Sequence, residues 1–274
     1  MMPSFQLANK HQRLSSLLLL LLPTAARALS TTSSSAPTII NHLLHRPHLT
    51  HSYYALRHGQ SLANVAKIIS SDPQISTVQH GLSDVGQEQA TLAGKSFAKQ
   101  YLNDASSSSK NDDYKGVAIF SSDFTRARET ATLFTQQLHN HQQIPIYTND
   151  IVLETRLRER FFGELNGGPD DQYQKVWDVD CTNPNHDEFG VEAANCVLER
   201  TTRLVTELDE LLSSSSSSSG DGGSGEEQKW KVILVAHGDV LQIMQTGFLR
   251  HEDAARHRSL EHLETATIRE LILN

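Results

Sequence analysis

The sequence predicts a three-layer α/β/α fold around a mostly parallel sheet. Three apolar segments, Tyr53 to Leu56, Val117 to Phe120 and Val232 to Ala236, each end in polar residues typical of functional loops. Helical patterns lie between these segments along the chain. Strands that alternate with helices indicate parallel strands covered by helices on both faces. Since such sheets bind ligands beyond the carboxyl ends of their strands, the three polar loops should meet in one crevice.

The first fifty residues differ in composition from the rest and are predicted to be a targeting leader. Lys10 and Arg13 precede an apolar run that includes Leu17 to Leu22, and the small residues around Arg27 form a cleavage signal. The run is shorter than the roughly 20 apolar residues that a membrane-spanning helix needs. We therefore expect a signal peptide and no stable membrane insertion of the mature domain.

A second targeting signal follows the first. Residues 29–52 are rich in Ser, Thr and His, and no acidic residue occurs before Asp72, which suits an organelle transit peptide. Two signals in series favour a two-part leader that delivers the protein into a plastid, with secretion and mitochondrial import as alternatives. We expect residues 1–50 to be disordered and removed.

Residues 51–274 are predicted to form one catalytic domain with alternating elements. Strand patterns rich in β-branched and aromatic residues occur at five places. These are Tyr53 to Leu56, Val117 to Phe120, Ile144 to Tyr147, Val232 to Ala236 and Thr267 to Leu273. Helical periodicity occurs at four places. These are Asp84 to Gln100 with Ser83 as N-cap, Arg126 to His139, Glu192 to Leu212 and Val240 to Leu249.

Three further stretches are predicted to be irregular. Residues 105–113 and 213–228 are low-complexity segments that should form flexible loops within the domain. Between Arg156 and Asn195 the pattern breaks down into Gly, Pro, Asp and aromatic residues. Because this stretch lies between predicted site loops, we expect it to cap the crevice and to influence substrate choice.

The predicted domain is acidic. Six of the 24 basic residues precede Asp72, whereas all 32 acidic residues lie from that position onward. Such a surface gives no long-range attraction to nucleic acid, so an anionic ligand requires a local cluster of Arg and His. The two cysteines, Cys181 and Cys196, make no disulfide framework; unpaired thiols are favoured over a single bridge.

The polar loops carry residues suited to bind and transfer phosphate. The first strand ends in an Arg-His-Gly tripeptide that begins at Arg57, the second loop carries Arg126, and the third strand ends at His237. A neutral imidazole is a nucleophile that needs no deprotonation, and the forked donors of a guanidinium suit phosphate oxygens. Their convergence predicts a site for phosphoryl transfer through a histidine.

These residues resemble motifs of the histidine phosphatase superfamily, in its phosphoglycerate mutase-like branch (branch 1), over nearly all of Tyr53 to Asn274. The matching segments are Arg57-His58-Gly59 with Ser61 and Asn64, Ser121 to Ala127 with Thr130-Ala131, Leu157 to Gly167, and Ala236-His237-Gly238. The resemblance implies the histidine phosphatase fold. Within this family, we expect the protein to be a phosphoric monoester hydrolase.

The resemblance assigns roles to individual side chains. His58 would be the nucleophile, with its second ring nitrogen held by a backbone carbonyl, and Glu159 would protonate the leaving oxygen. The implied catalytic residues are Arg57, His58, Arg126, Glu159 and His237. The expected phosphate and substrate ligands are Arg57, Asn64, Arg126, Arg160, His237 and Gly238. We expect no metal and no cofactor, because Arg and His meet the phosphate charge.

Three functions compete. Hydrolysis of a small phosphomonoester, such as a sugar phosphate or a phosphorylated acid, is favoured. Phosphoglycerate mutase activity is the first alternative, but residues 167–195 contain one Lys, no Arg and several acids, which disfavours a bisphosphate ligand. A non-catalytic phospholigand-binding protein is the second, and it is disfavoured because all five implied catalytic positions are occupied. The oligomeric state stays open.

Overall fold

A computed structural model of the protein describes residues 39–106, 114–141, 144–214 and 229–274. Five strands of these ranges form one sheet, in the order β3-β2-β4-β1-β5. The strands are β1 (Ser52–Arg57), β2 (Tyr114–Ser121), β3 (Val152–Leu153), β4 (Lys229–Ala236) and β5 (Ile268–Leu271). The first four are mutually parallel where they pair, and β5 is antiparallel to β1.

The register of the parallel strands brings three chain segments to the same edge of the sheet. Arg57 at the end of β1 pairs with Ala236 at the end of β4, and Ser121 at the end of β2 pairs with Val235. The next residues, His58, Ser122 and His237, therefore leave the sheet side by side. This is the edge at which parallel sheets bind ligands.

Helices cover both faces of the sheet. The helices are α1 (Leu62–Ala66), α2 (Pro73–Ser76), α3 (Asp84–Ser106), α4 (Thr125–His139), α5 (Tyr173–Asp180), α6 (Ala194–Ser214) and α7 (Gly238–Phe248). Successive residues of a strand point to opposite faces. In β4, Val232 and Leu234 join the apolar core with α6 and α7, whereas Ile233 and Val235 join the core with α3 and α4. The predicted three-layer fold is confirmed.

One predicted strand, Ile144 to Tyr147, is wrong. Its alternating Ile144 and Ile146 are buried, but Pro145 has no N–H to donate. Pro145 only accepts, from the amide of Val117, and the segment forms a single bridge. The edge strand is instead the two-residue β3, which the sequence pattern missed. The irregular stretch also contains α5, whose apolar signal is short.

The domain begins before the predicted boundary at residue 51. Its compact unit runs from Ile39 to Asn274. Leu43 is fully buried in the core of α6 and α7, and the side-chain amide of Asn41 donates to the carbonyl of Gly247. The expected disorder of the leader therefore does not hold for residues 39–50, since apolar side chains within a hydroxyl-rich stretch anchor it to the domain.

Asp209 of α6 fixes the end of this segment. Its carboxylate accepts from the amides of Thr50 and His51 and pairs with Arg46 at 3.1 Å. Residues 1–38, which carry the predicted cleavage signal, lie outside the described residues, as do almost all of the predicted loops 105–113 and 213–228.

Two further features bear on the predictions. Among the described residues, no helix is both long enough and apolar enough to cross a bilayer. Cys181 and Cys196 are free and exposed, so the two thiols are unpaired in this structure.

Candidate active site

A cavity of about 310 Å³ opens at the carboxyl edge of the sheet. Its wall contains six of the residues that the sequence predicts for the site. These are Arg57, His58, Asn64, Arg126, Glu159 and Gly238. Its volume lies at the lower end of the range for small-molecule sites, so it suits a small metabolite.

His58 follows β1 and is held in one tautomer. Its Nε2 lies 3.2 Å from Nε of Arg126, and its Nδ1 lies 2.7 Å from the carbonyl oxygen of Gly59. A guanidinium can only donate, so Nε2 is the acceptor and Nδ1 donates to Gly59. Burial, followed by the charges of Arg126 and Arg57, holds the pKa of His58 well below its usual range. His58 is therefore neutral at pH 7, with its Nε2 lone pair towards the cavity arginine.

Gly59 and Gly86 let the loop that carries His58 contact α3 directly. A Cβ at Gly59 would overlap the carbonyl of Gly86, and a Cβ at Gly86 would overlap the carbonyl of Gln60. The Gly59 amide is occupied, since it donates to Thr130 Oγ1 of α4 at 3.0 Å. The glycine therefore serves close backbone packing, rather than the approach of a free amide to phosphate.

Two arginines from different elements lie close to His58. Arg126 lies in the first turn of α4, and its Nη2 donates to the carbonyl of Ser70 at 2.9 Å. Nη1 of Arg57 donates to the carbonyl of Leu263 at 2.8 Å and to His262 Nε2 at 2.6 Å. These contacts fix both guanidinium groups before a ligand binds, so the site is preorganised for an anion.

Ser122 determines the tautomer of His237. The Ser122 hydroxyl accepts from the amide of Phe124 and lies 2.9 Å from His237 Nε2. Within the described residues, His237 is its only acceptor, so the hydroxyl donates to Nε2 and the ring proton is on Nδ1. Burial, together with the Arg126 charge, lowers the pKa of His237 well below its usual range.

His237 lies behind the cavity wall rather than on it. Its ring centroid is 5.1 Å from that of His58, and its side chain is fully buried. The ring also packs edge-on against Phe124 at 5.2 Å. His237 is thus next to His58, with one neutral N–H donor.

Glu159 is a buried carboxyl group on the cavity wall. Burial, and then the nearby charge of Asp239, raise its pKa to about 7, although Arg126 opposes the shift. One of its oxygens accepts from the Arg160 amide at 3.0 Å. At neutral pH this group can therefore give up and take back a proton, as a general acid and base must.

Asn64 lines the cavity through a capping box at the start of α1. Its Oδ1 accepts from the amide and hydroxyl of Ser61, and its own amide donates to the Ser61 hydroxyl. Because Oδ1 is engaged, the side-chain NH₂ is the group that remains for an anionic ligand.

Arg160 does not line the cavity, which corrects its predicted contact with substrate. Its guanidinium is fully buried and forms two bonds with Asp180, at 2.6 and 2.9 Å. Nε donates to the carbonyl of Glu192, and Nη1 is 3.4 Å from Asp239. An arginine beside a catalytic motif can equally belong to a buried ion-pair network, and the sequence does not distinguish the two.

Other wall residues were not assigned to the site by sequence. They include Asp170, Tyr173, Trp177, Asp239, Arg258 and His262, besides Ser61, Ala63, Ile68 and Ser70. Tyr173 and Trp177 of α5 stack with centroids 5.3 Å apart, and the Trp177 indole donates to Asp239 at 3.0 Å. Arg258 and His262 come from the irregular segment between α7 and β5. Their only sequence signal is a local excess of basic residues in an acidic domain.

Several buried donors around His58 have no partner among the described residues. They are Nε of Arg57, Nη1 of Arg126, Nδ1 of His237 and Nδ1 of His262. An unsatisfied buried donor costs about 1–3 kcal/mol, so an acceptor-only ligand would stabilise the site. Among the same residues, no group of three or more His, Cys, Asp or Glu side chains is arranged to hold a metal ion.

The model of the histidine phosphatase superfamily (branch 1) matches residues 53–274 of the chain. No curated protein matches the chain in sequence. Similar solved structures include a mycobacterial glucosyl-3-phosphoglycerate phosphatase, with 22% identity and a TM-score of 0.54 over 80% of this chain and 89% of that one. The same phosphatase in complex with inorganic phosphate has 20% identity and a TM-score of 0.54, over 80% and 88% of the chains. YhfR of Bacillus stearothermophilus has 19% identity and a TM-score of 0.53, over 80% and 90%.

Proposed function

The chain belongs to branch 1 of the histidine phosphatase superfamily, and we propose that it hydrolyses a small phosphomonoester through a phosphohistidine intermediate. The single observation that carries the proposal is the set of unpartnered buried donors around a neutral His58. Phosphate oxygens accept hydrogen bonds and carry negative charge, so they complement these donors. The glucosyl-3-phosphoglycerate phosphatase relative, which has been solved with inorganic phosphate, supports this ligand class.

In the proposed first step, Nε2 of His58 attacks phosphorus in line with the leaving oxygen. In the structure, Nε of Arg126 donates a hydrogen bond to that nitrogen. This N–H must therefore turn to a phosphate oxygen when the ester binds. The N–P bond forms, the P–O bond to the leaving group breaks, and Glu159 transfers its proton to the departing oxygen. The guanidinium groups of Arg57 and Arg126 stabilise the charge on the equatorial oxygens, as phosphoryl transfer requires.

In the second step, water replaces the alcohol in the same position. Glu159, now ionised, takes a proton from water while the water oxygen attacks phosphorus, and the N–P bond breaks to return the electron pair to His58. A pKa of about 7 suits a carboxyl group that acts first as acid and then as base. Arg57 and Arg126 provide the positive charge in this scheme, which therefore needs no metal ion.

A mutase must retain a bisphosphate during reorientation. Asp170 and Asp239 both line the cavity, and their charge disfavours a second phosphate dianion. The other acids of the cap support this argument less than the sequence suggested, because Asp178 and Asp187 are exposed and do not line the cavity. Hydrolysis therefore remains the proposed outcome.

Trapping the intermediate tests the proposal. Protein quenched in base during turnover of a ³²P-labelled phosphomonoester should carry acid-labile phosphate, and the label should map to His58. His58→Asn should abolish both label and turnover, whereas His139→Asn, an exposed histidine at the end of α4, should change neither. Substantial hydrolysis by the His58 variant, or label on another residue, would contradict the mechanism.

A further inference from the structure

Arg258 presents a fixed cation to the cavity, away from the arginines next to His58. Its guanidinium carbon lies 3.6 Å from the centroid of the Trp177 ring, and Nη1 donates to the side-chain oxygen of Gln242. Stacking on one side and a hydrogen bond on the other define the plane of the group. Within the described ranges, its Nε and Nη2 have no hydrogen-bond partner, so the guanidinium keeps donors for a ligand.

His262 supplies a second donor whose tautomer is fixed by Arg57. Because a guanidinium only donates, Nε2 of His262 must accept the 2.6 Å bond from Arg57, and the ring proton is on Nδ1. That Nδ1 is buried and has no partner in the described structure. A Cβ on Gly238 would lie 3.2 Å from His262 and 3.3 Å from Arg57, so the two side chains pack together over this glycine. His262 therefore adjoins the phosphate site.

The unpartnered groups of Arg258 and His262 in the described structure are hydrogen-bond donors, so they favour a ligand that accepts hydrogen bonds. The nearby Asp239 is already occupied, since it accepts from Trp177 and lies 3.4 Å from both Arg160 and His257. Among the described residues, the Gln242 side-chain oxygen also accepts already, from Arg258, so a substrate hydroxyl is matched less well here than an acceptor. A carboxylate brings only acceptors, and its two oxygens match the fork of a guanidinium.

Charge distinguishes a carboxylate from a second phosphate. Arg57, Arg126 and Arg258 are the arginines of the wall, and the phosphate ester itself brings close to two negative charges. The phosphate balances Arg57 and Arg126, so one further negative charge on the substrate would balance Arg258. A second phosphate dianion would exceed the charge of these three arginines by one.

We propose that Arg258 and His262 form a carboxylate subsite beside the phosphate site, so that the substrate is a small phosphorylated carboxylic acid. This inference rests on the proposed hydrolysis for its substrate but makes a separate statement about binding. It assigns specificity to the segment between α7 and β5, which the sequence motifs do not include.

Competition between matched ligands tests the subsite. With hydrolysis of p-nitrophenyl phosphate as the readout, inhibition constants would be measured for 3-phosphoglycerate and glycerol 3-phosphate, which differ by a carboxylate in place of a hydroxymethyl group. We expect the acid to bind about 10-fold or more tightly, as for one charge-assisted contact. Arg258→Gln should remove the preference, while inhibition by inorganic phosphate stays unchanged. Arg256→Gln, which removes the same charge from an exposed position, should keep it.

The outcomes separate the subsite from the proposed reaction. Equal inhibition by the two ligands, or a preference that survives in Arg258→Gln, would overturn the subsite. Tighter binding of propane-1,3-diol bisphosphate than of the acid would show a second phosphate site instead.

If Arg258→Gln fails to fold, Arg258→Lys, which keeps the charge but not the fork, should still weaken the preference. If p-nitrophenyl phosphate is not hydrolysed, the proposed reaction fails, and calorimetry with the same ligands still tests the subsite.

Discussion

The carboxyl group of Glu159 lies on the wall of the cavity and keeps its proton up to a pH of about 7. This group is buried beside Asp239, and ionisation would place a second negative charge in that region. The shift is upward, so the acid form is present below a pH of about 7 and is lost as the pH rises through that value. In the proposed reaction, Glu159 would therefore supply the proton for the leaving alkoxide at neutral pH.

This arrangement predicts different responses from different leaving groups. Glu159→Gln should slow the first turnover of an alkyl phosphate by about 10² or more, because general acid catalysis contributes roughly that much. Release of nitrophenolate in the first turnover should change far less, since this anion departs without a proton. In the unchanged protein, the alkyl rate should fall above pH about 7. Rapid-quench kinetics measures both; equal slowing of the two esters would remove Glu159 from the role of acid.

The sequence predicts the candidate site residues but not their hydrogen-bond states. Motif order locates His58, Arg126 and Glu159, whose side chains the structure brings to one cavity or its edge. The ring proton of His237 depends on Ser122, which precedes it by more than a hundred residues, and only the strand register reveals that contact. The same limit explains the error at Arg160, whose buried partner Asp180 comes from a helix that the sequence pattern did not show.

At the scale of elements, the segment before β1 is part of the core. Leu43 is fully buried against α6 and α7, although its surroundings in the sequence are typical of a leader. Composition reports an average over a window, whereas a single buried leucine is enough to anchor a short segment. Cleavage well beyond residue 38 would remove residues that contact the rest of the domain, such as Asn41 and Leu43.

Leu43→Ala should therefore destabilise the protein. We expect the free energy of unfolding to fall by about 2–5 kcal/mol, the usual cost of such a cavity in a core. Urea unfolding of the full chain measures the change. Ile39→Ala is the matched control, because Ile39 is 60% exposed and should have little effect. An equally small effect at both positions would show that the segment is not anchored through Leu43.

The main elements were predictable because their signals are local. The strands β1, β2 and β4 are continuous apolar runs, as expected for strands buried on both faces. The short elements α1, α2 and β3 have few residues each and little periodicity. Their positions depend on tertiary contacts such as the bridge between Ile68 and Pro169, which no window of sequence contains.

At the scale of the whole molecule, the proposed reaction requires the cavity to accept water while it holds phosphate. We expect one inorganic phosphate per substrate consumed, and little 2-phosphoglycerate from 3-phosphoglycerate with catalytic 2,3-bisphosphoglycerate. The reason is the negative charge of Asp170 and Asp239 on the wall. Phosphorus NMR of the reaction mixture distinguishes the products. Efficient isomerisation with negligible release of phosphate would assign the protein as a mutase.

The contact between Gly59 and Gly86 has a consequence for genetic variation. Neither residue has a side chain that could react or bind, and Gly86 lies on a helix that contributes nothing to the cavity wall. Yet a single methyl group at Gly86 would push the carbonyl of Gln60, and with it the loop that carries His58. A missense allele at Gly86 would therefore be expected to cause loss of function in an organism, although the altered residue lies outside the cavity wall.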